Sequence, residues 1–297
     1  MLGKLLKHEW KGTYRVGCLM LILLTGITFL GWLAFQSPMW RELSGTSHYY
    51  QQTFGMNILN LVSVFTLMLY FLMLCAVSIG IVVYLGVHFY KTMYTDEGYL
   101  THTLPVTEGK LLFAKTLISG IWVLIVSLGV ILSVGALLMF LISAVLPEGY
   151  GLSDFWREFR LAFEEEELKE LFTVFKQELG MDFRAYLIYL IAMLPIGAFT
   201  SVMTLFGAIS LGQIFTKHRV LMAVASYIFV NMVSGIVSSV IQGITTGIYA
   251  ARDNYTGAMV GSYINTSLIT ELVLSVVFAA LLYLLSYWVN TRRLNLE

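Results

Sequence analysis

Six apolar runs leave this chain few ways to fold. They fall at about residues 16–35, 56–88, 111–146, 186–215, 220–242 and 267–290, and each is close to or beyond the ~20 residues that a helix needs to cross a bilayer. In hydrocarbon every backbone N–H and C=O must be satisfied internally, which restricts such runs to helices. With 58% hydrophobic and 12% charged residues in a chain of 297, little remains from which to build a soluble core. The expected class is an all-α membrane protein with six transmembrane helices. Pro195, inside the fourth run, is expected to kink it.

Six crossings put both termini on one side, and the distribution of Lys and Arg says which. Eleven of the 18 lie on the side that holds the N-terminus, residues 89–110, Lys217, Arg219 and Arg292–Arg293. Of the seven opposite, five sit in one long acidic loop, where the positive-inside rule carries less weight. Both termini are therefore expected in the cytoplasm. Before the first run, Lys4, Lys7, Lys11 and Arg15 oppose Leu2, Leu5, Leu6 and Trp10. This pattern predicts an amphipathic N-terminal helix over 1–15 lying in the interface plane, its basic face toward lipid headgroups. The run that follows lacks a small-x-small cleavage site and reads as an uncleaved first crossing.

Between the second and third runs, the polar interval 89–110 must lie at or outside a membrane face, because charge is costly at the bilayer centre. Tyr99, Leu100 and Leu104 are spaced to share one side of a helical turn or two, and Pro105 ends that turn. Such a piece suits force transmission to a partner, or is a solvated connector. On the other face, the loop 147–185 is expected to be an extracytoplasmic helical insertion between the third and fourth crossings. One amphipathic piece carries Phe155, Trp156, Phe159 and Phe163 and is capped by Ser153 or Asp154. A second carries Leu168, Leu171, Phe172, Phe175 and Leu179 opposite a glutamate-rich face.

Enzyme chemistry has little to stand on. The chain has no Gly-rich loop followed by Lys-Ser or Lys-Thr, no Gly-x-Ser-x-Gly and no His-Glu-x-x-His. Cys18 and Cys75 lie inside apolar runs, and the five histidines show no metal-ligand spacing. No catalytic residue, metal or cofactor is expected in this chain, and zero formal charge gives no field for nucleic acid.

Polar residues inside the runs are patterned instead. Tyr227, Asn231, Ser234, Ser238 and Gln242 form one stripe of the fifth helix, facing other helices, a second subunit or a passage. Asn57 and Asn60 add polarity near the outer end of the second. Gly197, Ser201, Thr204 and Ala208 read as a close-packing stripe of the fourth. Glu271 is expected in the first turn of the sixth helix, where the dipole favours negative charge, with ion coupling as the sharper alternative. The Gly-rich interval between the fifth and sixth runs, with Gly243, Gly247, Gly257 and Gly261, reads as a loop or a re-entrant dip.

These pieces together resemble the ABC-2-type transporter permeases of Gram-positive bacteria. The resemblance rests on the topology and on Asp96-Glu97-Gly98-Tyr99-Leu100 leading to Thr103-Leu104-Pro105-Val106. It implies a single transmembrane permease domain over 1–297 in a bacterial cytoplasmic membrane. The interval 89–110 would be a coupling segment docking on a separate ATPase subunit through Asp96, Glu97, Gly98, Tyr99, Leu100, Leu104 and Pro105. Leu6 and Trp10 of the N-terminal helix would approach the same subunit. ATP and Mg would be bound by that partner. A second permease, identical or related, would complete a dimer, with Asn57, Asn60 and the stripe Tyr227–Gln242 near the path or the dimer interface. The loop 147–185 is longer than is usual there. The cargo expected is a peptide, lipid or drug-like molecule. Two alternatives stay open: an ion-coupled secondary transporter, and a membrane protein that senses or protects against a peptide antibiotic.

Overall fold

A computed structural model describes residues 2–37, 40, 54–95, 97–98, 101, 103, 105–145, 151–162, 172–174, 176, 182–215, 217–251 and 257–292. Among these the longer elements are all helices: α1 (Leu2–Phe35), α2 (Phe54–Tyr94), α3 (Glu108–Val145), α4 (Leu152–Ala162), α5 (Phe183–Gly212), α6 (Arg219–Ala250) and α7 (Gly257–Arg292). Six of them, all but α4, are long and apolar enough to cross a membrane. The protein is a multi-pass membrane protein.

The boundaries differ from the expected ones in a consistent direction: the helices are longer than their apolar runs. Helix α1 is unbroken over 34 residues, about 51 Å at 1.5 Å per residue. The lead-in expected over 1–15 and the first crossing are thus one helix. The interval 89–110 begins inside α2 and ends inside α3. The Gly-rich interval after the fifth run is mostly helical, because α6 continues through Gly243 and Gly247 to Ala250. Its hydroxyls need no water to be satisfied there: Thr246 Oγ1 donates to Gln242 O at 2.7 Å, and Tyr249 Oη lies 2.9 Å from Thr266 Oγ1 of α7. Helix α4 begins at Leu152, one residue before the expected caps. Asp154 instead accepts from the Gly151 N–H at 3.1 Å, the reciprocal arm of a capping box. Of the second amphipathic piece, residues 172–174 and 176 are helical and the remainder lies outside the described residues.

The chain divides into two compact units. The first comprises Met1–Thr13, Val82–Leu124 and Glu170–Glu297. In it α5, α6 and α7 pack against one another. Phe89 of α2 stacks on Phe206 of α5, with centroids 3.8 Å apart and planes 8° from parallel. Both side chains are buried. Close approach depends on glycine at several places, among them Gly207 and Gly212. A Cβ on Gly207 would come 2.7 Å from Leu282 Cβ of α7, and one on Gly212 would come 2.5 Å from the backbone of Ala223 in α6. The expected packing stripe of α5 is corrected accordingly. Ala208 is fully buried, but Gly197 faces open space, and Ser201 and Thr204 line a cleft. Helix proximity comes from Gly207, one residue off that stripe, and from Gly212, one turn beyond its end.

The second unit comprises Tyr14–Ile81 and Ile125–Lys169. Its centre is Ser133 of α3, whose hydroxyl lies 2.6 Å from Thr28 Oγ1 of α1 and 2.8 Å from the buried Tyr70 Oη of α2. Nearer the end of α1, Ser63 donates to Ala34 O at 2.6 Å and Ser37 donates to Asn60 Oδ1 at 2.8 Å.

Candidate functional site

Within the first unit, the polar segment that follows α2 is rooted by that helix's last residue. Tyr94 is buried, and its hydroxyl donates to Asn290 Oδ1 of α7 at 2.6 Å. It also lies 2.8 Å from Ser210 Oγ of α5, which in turn lies 2.6 Å from Ser286 Oγ of α7. A phenol has one proton to give. Since that proton goes to Asn290, Ser210 donates to Tyr94 and accepts from Ser286, so the four groups form one directed chain. All four side chains are nearly inaccessible to solvent, where such bonds polarise one another and an unmade one is costly. The segment therefore starts from a point held by three helices.

Gly98 comes four residues later and closes back on the same helix end. Its N–H donates to Thr95 O at 2.7 Å. A Cβ there would stand 2.6 Å from both the carbonyl carbon and the carbonyl oxygen of Met93, so only glycine fits. Glu97 is exposed, Thr101 Oγ1 donates to Glu97 O at 2.9 Å, and Pro105 is exposed at the far side. Asp96, Tyr99, Leu100 and Leu104 lie outside the described residues.

Beside this root is a charged cluster that the sequence did not single out. Lys115 of α3 donates to Glu9 Oε1 of α1 at 2.7 Å and to Thr92 Oγ1 of α2 at 2.8 Å. His88 Nε2 of α2 lies 3.6 Å from the other Glu9 oxygen. The Glu9 and Lys115 side chains are 8% and 3% exposed. Trp10 stacks on Trp122 of α3 at 4.7 Å, while Leu6 is half-buried. The start of α1 is thereby fixed to the cytoplasm-directed ends expected for α2 and α3. Lys4, Lys7, Lys11 and Arg15 point outward, as the amphipathic pattern requires. The signal was present: Leu5, Glu9 and Thr13 share a face at spacings of four, and all three are buried.

The stripe on α6 lines a cleft of about 340 Å³ formed with α5 and α7. Tyr227, Asn231, Ser234 and Ser238 supply one wall, Thr200, Ser201 and Thr204 of α5 another, and Glu271 and Ser275 of α7 the third. Gln242, the last stripe residue, donates through Nε2 to Glu271 Oε2 at 3.2 Å. Glu271 itself is not in the first turn. It lies fourteen residues beyond Gly257, about 21 Å along the axis, because α7 begins ten residues before its apolar run. Asn60, expected beside this stripe, accepts from Ser37 in the second unit, and the Asn57 side chain lies outside the described residues.

Comparison with protein-family models, with curated proteins and with solved structures gave no match. The chemistry is thus judged on the side chains alone. The root offers a rigid lever of hydroxyls, one amide and a paired charge; Asn290 Nδ2 is buried and has no hydrogen-bond partner among the described residues. The cleft offers a single carboxylate among hydroxyls at the edge of an apolar span, a setting in which ionisable groups are costly and generally functional.

Proposed function

We propose that this protein is the membrane-spanning permease subunit of an ATP-driven exporter of the ABC-2 type, exporting a peptide, lipid or drug-like molecule from a bacterial cytoplasm. The observation that carries this is the root of the segment 95–105. Tyr94 ties the end of α2 to α5 and α7 through Ser210, Ser286 and Asn290, and Gly98 folds the following turn against Met93. A load applied to that segment would reach three helices, two of which wall the polar cleft. The Glu9–Lys115 pair ties the start of α1 to the same place. In this scheme a separate ATPase subunit binds ATP and Mg and presses on the segment. A second permease, identical or related, completes the passage, and the two alternate between arrangements. The permease itself catalyses nothing.

The test is gentle affinity purification from native membranes with identification of stoichiometric partners and an ATP-hydrolysis assay. The expected result is a co-purifying ATPase that is lost when residues 96–105 are scrambled while membrane insertion persists. A lone protein with no associated ATPase activity, under conditions that preserve other membrane complexes, would overturn the proposal and favour ion-gradient transport through Glu271.

A further inference from the structure

The donors and acceptors of the cleft are unevenly distributed, and this fixes what it can bind. A hydroxyl has one proton, and five in the wall spend theirs on backbone carbonyls of their own helices. Thr200 donates to Gly197 O, Ser201 to Ala198 O, Thr204 to Thr200 O, Ser234 to Asn231 O and Ser275 to Leu272 O, at 2.8–3.1 Å. The Asn231 amide nitrogen does the same toward Tyr227 O at 2.8 Å. What the five hydroxyls turn toward a ligand is oxygen lone pairs, while the amide keeps one N–H free. Glu271 adds a carboxylate whose hydrogen-bond donor among the described residues is Gln242, and no described Lys, Arg or His pairs with it. An anion would meet only the hydroxyls of Tyr227 and Ser238 and the second amide hydrogen of Asn231, with the Glu271 carboxylate opposing it. A group that carries only donors would be matched on several sides, and an alkylammonium has three N–H donors and no acceptor.

Size and shape decide between an inorganic and an organic cation. Calcium-like ions need oxygens gathered within ~2.6 Å, whereas these oxygens are spread along α6 from Tyr227 to Ser238, about 16 Å at 1.5 Å per residue. Leu274, Phe278, Leu282 and Val230 line the same volume, so the cleft takes an apolar body as well as a charged head. Its about 340 Å³ falls within the ~300–1,000 Å³ range of small-molecule sites.

We infer that this cleft is a binding site for amphiphiles with a cationic amine head, the ammonium seated on Glu271 and the apolar body along Phe278 and Leu282. That such a ligand is cargo rests on the export function proposed above; the binding itself does not. The probe is radiolabelled dodecylamine, offered to the full-length protein in nanodiscs of phosphatidylcholine, with dodecanol and dodecyl sulfate as competitors. Saturable binding is expected, with dodecanol and the sulfate at least about tenfold weaker, as befits loss of a charge-assisted bond. Glu271→Gln, which keeps the shape, should weaken dodecylamine by a similar factor and leave dodecanol unchanged. Gly235→Leu is a second variant: its Cβ meets nothing within 4 Å, so it fills the cleft from a position that tolerates a side chain. It should abolish binding at unchanged melting temperature. Phosphatidylethanolamine in the nanodisc would compete if a lipid headgroup can supply the amine, and would not if only free amines enter; either supports the site. Equal binding by Glu271→Gln, equal affinity for dodecanol, or displacement by sodium at millimolar concentration would overturn it. A failure of binding in protein that still co-purifies with an ATPase would refute the ligand and leave the exporter assignment standing.

Discussion

Removing one member of the Glu9–Lys115 pair should cost more than removing both. The two side chains are 2.7 Å apart and nearly inaccessible, so either single change strands a buried charge. Breaking a buried pair in this way costs roughly 3–5 kcal/mol, whereas replacing the whole pair by apolar or neutral groups of similar volume is often close to neutral. Lys115→Met also removes the donor to Thr92 Oγ1, whose own proton stays on the carbonyls of His88 and Phe89. In Lys115→Met the residual partner of Glu9 is His88 at 3.6 Å, which softens the loss toward the lower end of the range. Glu9→Gln leaves the ammonium with Thr92 and a neutral amide. The double variant Glu9→Gln/Lys115→Met should cost less than either single change, so the coupling energy exceeds the cost of one single change, roughly 3 kcal/mol or more. Reversible unfolding in mixed detergent–SDS micelles, followed by tryptophan fluorescence, measures all four corners of the cycle; Trp10 and Trp122 stack beside the pair and report on it directly. Single variants that each cost less than ~1 kcal/mol and add without coupling would show that the pair is solvated, and would refute the claim that it pins α1.

Three further outcomes follow from the packing. Under the exporter function proposed above, Tyr94→Phe should uncouple ATP hydrolysis from transport while membrane insertion persists, because it leaves Asn290 and Ser210 without their shared partner; comparing hydrolysis and export in proteoliposomes checks this, and normal coupling would refute it. Gly98→Ala should do likewise, since its Cβ would sit 2.6 Å from the Met93 carbonyl. The contrast between two glycines of α5 tests the helix contacts. Gly207→Ala should lower the melting temperature in detergent through its clash with Leu282, while Gly197→Ala, in open space, should leave it unchanged or raised by the better helix propensity of alanine.

Hydropathy summed over some twenty residues made the six crossings legible, because a single misplaced polar residue barely alters such a sum. The stripe Tyr227–Gln242 was legible for the same reason that it lines the cleft: helical spacing placed its members on one side. Helix ends were not legible. Thr246 and Tyr249 look like loop residues, yet their hydroxyls are satisfied within α6 and by α7, a cancellation that depends on the partner helix. Glu9 was hidden among Lys4, Lys7 and Lys11, where a lone carboxylate resembles a solvated charge. Lys115 was hidden near the end of an apolar run, where it counts toward orientation. Only the meeting of residues 106 positions apart gives either its meaning. The segment 95–105 was legible as polar and short, but its root was not, since Ser210, Ser286 and Asn290 carry no local pattern.

That separation of 106 residues also sets an order of assembly during synthesis. At roughly 5–20 residues per second, Glu9 waits about 5–20 s for Lys115 to be made, holding an unpaired carboxylate at the head of a helix already entering the membrane. Tyr94 waits longer still, because Asn290 lies 196 residues downstream. The first three helices can therefore lock their charges early, while the root of the segment 95–105 stays open until α7 arrives. A ribosome stalled before α7 would hold a protein that is anchored in the membrane but has no rigid lever.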